Sequence, residues 1–366
     1  MPEDMQPASE AELAEAIRSA TGPLAVTGGG TRRPGGLPGT VLETGALTGV
    51  RLYEPGALTL VAGAGTPLAE VETLLAGERQ RLAFEVPDLR GLLGRDGVST
   101  LGGVAAANAS GPRRVQAGAA RDSLIGLRFV DGAGHVVKNG GRVMKNVTGY
   151  DLVKLLAGSH GTLGVITEVS LKLQAIPETE ATLWAEGLDD AAALTRLRAA
   201  LGTPYDVSGA AHIGGRTLLR VEGLEGSVNY RAGALRAALG GDWVLASGGE
   251  SAALWRGVRD VAPFAGAEGA VWRLVVTPSA AAGIVAALPG AEAIYDWGGG
   301  LVWLLAGAGA DVRAAVAGHG HATLIRPLPG MAVPVFPPEA PGVAALTQGL
   351  RAKFDPRGIL NAGMMG

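Results

Sequence analysis

A strand-sized apolar run, Leu24-Ala25-Val26, ends in three consecutive glycines and a threonine, Gly28-Gly29-Gly30-Thr31. This junction constrains the fold more than any other feature of the chain. Without Cβ atoms, successive backbone N–H groups can converge on one oxygen, and glycine adopts the positive φ values that such a turn needs. The junction therefore reads as an anion cradle with Thr31 as an added hydroxyl donor; an ordinary tight turn is the plainer alternative. A second segment, Ser99-Thr100-Leu101-Gly102-Gly103, follows about 70 residues later and continues in small residues to Ser110-Gly111. Small residues there let backbone lie close to a flat or charged ligand, or let helices pack tightly. Two such segments in one domain point to something diphosphate-like between them.

Composition narrows the choice of ligand and partner. The 366 residues suffice for two or three domains with buried cores. Lys+Arg total 31 against 34 Asp+Glu, a net charge of −3, and no basic run occurs, which argues against nucleic acid or an anionic membrane as main partner. The absence of cysteine removes disulfides, thiolate zinc sites, cysteine-ligated iron–sulfur clusters and thiol nucleophiles. Gly63-Ala64-Gly65 has Leu68 where a dinucleotide fingerprint needs its third glycine, and no Lys follows a Gly as a P-loop requires. The acidic N-terminal stretch lacks an apolar signal region, and the uncharged run Leu274–Ala291 is interrupted by Pro278 and Pro289. No membrane span is expected, and the chain reads as cytoplasmic.

Local patterns give a coarse α+β reading. Ser9 and Glu12 form a capping-box pattern ahead of Leu13 and Ile17, and Gly22-Pro23 closes that helix. Leu58–Ala62 reads as a strand leading to a helix with Thr66 as N-cap and Pro67 at its first position. Residues 86–119 carry weak signals. Ile125–Asp131 and His135–Val137 flank a Gly132-Ala133-Gly134 turn as a hairpin, and Val165–Leu173 alternates as a half-buried strand with one wet face. Beyond Pro177, strands such as LLRVEG, WRLVVTP, AIYDW, LVWLLAG and HATLIR alternate with Ala/Leu/Arg helices up to Arg326, an antiparallel layer with helices on one face. Residues 327–341 read as an extended Pro-rich crossover before a helix over Gly342–Lys353.

The run from Gly97 to Leu173 resembles the FAD-binding PCMH-type domain of the vanillyl-alcohol-oxidase flavoproteins, and within them the E subunits of bacterial glycolate oxidases. Supporting motifs are GGGT at 28–31, AGAGTPLAEVE at 62–72, KNVTGYDL through GTLGVITE, and the terminal FDPRGILN, all in family order. The resemblance implies an FAD-binding domain of two α+β subdomains at 1–176, an α+β cap at 177–330, and a C-terminal segment at 331–366 returning to the first domain. It implies that Gly28, Gly29, Gly30 and Thr31 line the FAD pyrophosphate, and that Thr100, Leu101, Gly102 and Gly103 contact diphosphate and ring, with Pro87 in the preceding loop. Gly164, Val165 and Ile166 would present backbone to the cofactor, and Asn361 would approach the isoalloxazine edge. It further implies oxidation of a small 2-hydroxy acid alongside a larger FAD-linked subunit and an iron–sulfur subunit, in a complex peripheral to the inner membrane.

This chain also departs from the family pattern. Relatives that attach flavin covalently use His or Cys; GGGT contains no His and the chain no Cys, so noncovalent FAD is expected. The catalytic D subunit's His-rich segment is missing, its usual Glu is His160 here, and the final Asn-Pro-Gly reads Asn361-Ala362-Gly363. These losses leave open an assembly or electron-relay role with a structural FAD site, or a stand-alone D-lactate-type dehydrogenase. Arg273 and Arg326, each on an expected strand of the cap, are candidates to clamp a carboxylate, against the plainer reading of solvated or paired arginines. His319 and His321 could face a metal, though two imidazoles without a third ligand read better as a strand edge, and no metal site is expected. Trp297 and Trp303 read as core or interface aromatics, and Asp151 as a helix cap.

Overall fold

The computed structural model describes residues 4–33, 35–141 and 149–365. Lys145 to Thr148 of the KNVTGYDL motif lie outside them. The N-terminal strands are β1 (Leu24–Thr27), β2 (Thr40–Glu43), β3 (Val50–Glu54), β4 (Thr59–Gly63), β5 (Gln80–Leu82), β6 (Leu124–Val130), β7 (Val136–Gly140) and β8 (Val165–Ala175). β1 and β2 pair in parallel as a small sheet of their own. The others form an antiparallel sheet ordered β3-β4-β8-β6-β7, with β5 on the far end of β8. This is an α+β architecture, as the sequence pattern led one to expect.

The strand β8 departs from its expected wet face. It is flanked by β4 along Glu168–Lys172 and by β6 along Val165–Leu171, and Ile166 and Ser170 are buried on the side expected to face water, with Glu168 and Lys172 half-buried. A central strand has neighbours on both edges and helices against it, whereas simple alternation reports only one face. The helix after β4 spans Leu68–Gly77 and begins one residue later than expected: Pro67 is its N-cap, and Thr66 Oγ1 instead accepts from the Gly49 amide at 3.0 Å. At Glu10–Ser19, Ser9 caps the helix as expected, while Glu12 reaches past it to the Ala8 amide at 2.9 Å. The weakly patterned region 86–119 holds short helices at Arg90–Leu93, Leu101–Ala107 and Arg114–Ala117.

The remaining strands are β9 (Thr179–Glu186), β10 (Gly209–Ile213), β11 (Arg216–Gly223), β12 (Val244–Ser247), β13 (Ala270–Val276), β14 (Glu292–Asp296), β15 (Leu301–Ala306) and β16 (Gly320–Arg326). They make one antiparallel sheet ordered β12-β9-β11-β10-β14-β15-β13-β16. Its alternation separates two faces. Leu219, Val221, Trp272, Leu274, Val302 and Leu304 pack with Leu194, Leu197, Val228 and Leu235 from the helices Asp190–Leu201 and Glu225–Leu239. The opposite face is not bare, as helices on one side alone would leave it. Trp255 and Val258 of the Gly248–Arg259 helix cover Ala211 and Leu218, and Leu89 and Leu92 from the N-terminal part reach Val271, Trp303 and Ile325.

The chain then crosses residues 327–340 without regular structure, forms the helix Pro341–Phe354, and returns to β1. The Leu24 amide donates to Ile359 O at 2.7 Å, and Ile359 and Leu360 pack with Leu13, Leu24 and Leu42. No helix among the described residues is long and apolar enough to cross a membrane.

Candidate functional site

An open cleft lies between the β1 turn, the Leu101–Ala107 helix and the turn before β8. Of the residues singled out in the sequence, it is lined by Gly28, Gly29, Gly30, Thr31, Thr100, Gly102 and Gly103. Gly164, Val165, Ile166 and Asn361 close it from the other side. Leu101 and Pro87 are not part of the wall. Leu101, 2% exposed, packs into the core beside Leu60 and Leu156, and Pro87 lends its carbonyl to Arg32 Nη2 at 3.2 Å.

Close packing of glycine brings the two separated segments together. A Cβ on Gly29 would stand 1.5 Å from the Val98 carbonyl oxygen, so only glycine admits that strand-to-turn approach. Gly164, at φ +155, lies in a conformation that L side chains rarely adopt, and a Cβ there would meet the Phe129 ring at 2.5 Å.

Hydrogen-bond accounting separates what the two segments do. The amides of Leu101, Gly102 and Gly103 are engaged by Thr66 O, Ala64 O and Thr100 Oγ1 at 3.1, 2.7 and 3.3 Å. This corrects the expectation that both segments offer bare amides to a ligand: the second one supplies a closely packed wall. By contrast, the amides of Gly28 through Arg32 donate to nothing among the described residues. Orphaned main-chain donors at a cleft are rare unless something satisfies them.

Arg32 and Arg33 extend that donor array, a pair the sequence reading passed over although it follows the glycines directly. Both line the cleft, and the Nε of each is buried without a partner. Burial pulls the Arg32 guanidinium down to about 10, and burial together with the Arg95 charge lowers Arg33. Both stay cationic at neutral pH. Five unpaired amides and two guanidinium donors suit a diphosphate, whose charge they would neutralise through hydrogen bonds.

Asn361 fastens this arrangement. Its Oδ1 accepts from the Val26 amide at 2.7 Å, its Nδ2 donates to His160 O at 2.7 Å, and its own amide donates to Leu24 O at 2.9 Å. The side chain thus joins β1, the turn before β8 and the C-terminus at the cleft wall. His160, also on the cleft wall, sits at φ +52 with its ring edge-on to Phe336 at 5.2 Å. Burial, reinforced by the Arg273 charge, pushes its imidazole down to about 4, so it is neutral at neutral pH.

The eight-stranded sheet meets this half of the molecule through a charge lattice. Arg220 on β11 forks onto Glu85 at 2.9 and 3.0 Å, and Arg113 forks onto Glu222 at 3.0 and 2.9 Å. Arg81 adds a third guanidinium to Glu222 at 2.7 Å. Burial alone would raise the Glu222 carboxyl, but Arg220 and Arg113 outweigh it and hold the group well below the usual carboxylate range.

The two candidate arginines diverge. Arg326 donates to the carbonyls of Leu92, Phe264, Ala267 and Gly269, which leaves no part of its fork for a carboxylate; it staples β16 to the N-terminal part. The Arg273 guanidinium makes no hydrogen bond among the described residues and lies 5.5 Å from the Trp297 ring centroid, and the residue is partly buried. Trp297 is an interface aromatic, its Nε1 donating to Gly111 O at 3.1 Å, and Trp303 is core. Asp151 caps its helix through the Lys154 amide at 3.1 Å. His319 and His321 are exposed near the β16 edge, and no group of three or more His, Asp or Glu among the described residues is placed to hold a metal.

Fold and cleft together define a flavoprotein of the PCMH-type FAD-binding class, and the FAD binding domain family matches residues 4–140. A glycolate oxidase subunit GlcE of Escherichia coli (strain K12) is 34% identical over 97% of this chain and 95% of its own. The chain belongs to that GlcE family. A glycolate oxidase subunit GlcD of Bacillus subtilis (strain 168) is 45% identical over 26% of this chain and 21% of its own. Among solved structures, an alkyldihydroxyacetonephosphate synthase superposes with a TM-score of 0.67 at 17% identity, covering 97% of this chain and 76% of that one, a likeness of fold.

Proposed function

We propose that this chain is the FAD-bearing subunit of a glycolate oxidase complex, an FAD-dependent oxidoreductase that takes a 2-hydroxy acid to its 2-oxo acid. The carrying observation is the run of unpaired amides from Gly28 to Arg32 on a cleft wall, in a chain similar over 97% of its length to a glycolate oxidase subunit. Residues 1–176 would form the FAD-binding unit, 177–330 the cap, and 331–366 the returning segment. Gly28 to Thr31, with Arg32 and Arg33, would hold the diphosphate noncovalently. Thr100, Gly102 and Gly103 would form the wall, and Gly164, Val165 and Ile166 the backbone surface opposite. FAD, when bound, supplies the two-electron acceptor for the CH–OH carbon. The chain's own part is to fix that acceptor, cover it with the sheet β9–β16, and exclude water from the space between. Onward electrons would go to partner chains, a larger FAD-linked subunit and an iron–sulfur subunit, in the cytoplasm or against the inner membrane through the complex.

The test is to purify the chain, read its visible flavin absorbance, and add glycolate without oxygen, alone and with a GlcD-type subunit. The reading expects a yellow protein whose colour bleaches in at least the reconstituted mixture. A colourless chain that refuses FAD, or a mixture that never bleaches, overturns it.

A further inference from the structure

Arg113 and Arg114 are neighbours with opposite fates. Arg113 is tied into the charge lattice through Glu222, while the Arg114 side chain makes no hydrogen bond or ion pair among the described residues and instead stacks its guanidinium 4.5 Å from the Trp297 ring centroid. Arg273 comes to the same ring from β13, 5.5 Å from that centroid and equally without a hydrogen-bonded partner. Two partly buried cations therefore share one indole; burial and then the Arg114 charge lower Arg273, while burial and then the Arg121 charge lower Arg114. Among the described residues neither guanidinium has a carboxylate at ion-pair distance, and the Asp122 charge that supports Arg114 from farther off is set against the like charge of Arg121. Glu85 and Glu222 are bound to Arg220, Arg113 and Arg81, and Asp296, beside Trp297 in sequence, is pushed up to about 8 by burial and so is neutral at neutral pH. Arg273 also raises the local positive potential at His160, on the cleft wall.

Like charges held together in a partly desolvated place are unfavourable unless an anion joins them. The indole organises the guanidiniums without neutralising them. We propose that Arg114 and Arg273, stacked on Trp297, form the binding site for the carboxylate of a small organic acid where the eight-stranded sheet meets the N-terminal half. Arg114 is the specificity-determining residue that the strand pattern never suggested. Naming that acid a 2-hydroxy acid rests on the function proposed above; the pair of guanidiniums on one indole does not. Guanidiniums favour a planar, bidentate acceptor, so an alcohol of the same skeleton gains nothing here.

Equilibrium dialysis of the full chain against radiolabelled glycolate, with and without saturating FAD, reads this directly, with ethylene glycol as the competitor lacking a carboxylate. Binding is expected, unaffected by ethylene glycol. It should weaken about tenfold or more in Arg114→Gln and in Arg273→Gln, each losing a charge-assisted contact, with FAD retention unchanged. Arg273→Lys, which keeps the charge but not the fork, should fall between wild type and Arg273→Gln. Failure to retain FAD would count against the proposed function alone, since glycolate binding is also measured in the FAD-free chain. Equal glycolate affinity in wild type and both glutamine variants, or no carboxylate binding by the wild type, overturns the proposal.

Discussion

His160 occupies a left-handed conformation at φ +52, its carbonyl bonded to Asn361 and its imidazole against Phe336 on the cleft wall. The sequence showed a histidine at this position but not its ionisation, which depends on burial at the cleft wall, reinforced by Arg273 113 positions away in the chain. Folded, His160 binds its proton only near pH 4, against an ordinary value of 6.5. Between those values the unfolded chain holds more protons, so acid favours unfolding and the contribution is complete only above about 6.5. The stability difference between wild type and His160→Gln should therefore change by up to about 3 kcal/mol as pH falls from 6.5 to 4, measured by urea unfolding at each pH. A difference flat across that window would contradict the assignment. Other positions were legible because glycine leaves a direct signature: Gly28 to Gly30 read as a cradle or a tight turn, and the structure puts them on the cleft wall. Arg32 and Arg33 were not read, since their value lies in unpaired Nε atoms rather than in a motif.

At the scale of elements, patterns that depend on near neighbours were readable and those that depend on distant ones were not. The hairpin of β6 and β7 and the strands β11, β13, β14, β15 and β16 follow from alternation and turn residues. The burial of both faces of β8 follows from strands that join it from far along the chain. The lattice on β11 is another non-local product: Arg113 meets Glu222 across 109 residues and Arg220 meets Glu85 across 135. Removing one member leaves buried charges uncompensated, so Glu222→Gln should lower unfolding stability by about 3–5 kcal/mol. Adding Arg113→Gln should return part of that loss, because the two residues are coupled. Denaturant titration of the single and double variants checks both statements; a single-variant loss under about 1 kcal/mol would show that the lattice is solvated rather than buried.

Across the whole molecule, the order of motifs from GGGT to FDPRGILN was enough to suggest the flavoprotein fold by resemblance, because they occur in family order along the chain. The composition gave no hint that the C-terminal residues would close the cleft. That closure comes from Ile359 and Leu360 joining the Leu13 and Leu24 core and from Asn361 bridging Val26 and His160. The division of labour between the two glycine segments also emerged only in three dimensions, where one keeps its amides free and the other does not. The central claim is that the free amides of Gly28 to Arg32, helped by Arg32 and Arg33, bind a diphosphate. Calorimetric titration of the flavin-free chain with FAD and with riboflavin, which lacks the diphosphate, isolates that contribution. The account predicts FAD binding at least about a hundredfold tighter than riboflavin, with the gap narrowing in Arg32→Gln; equal affinities for the two flavins, or no FAD binding at all, would contradict it.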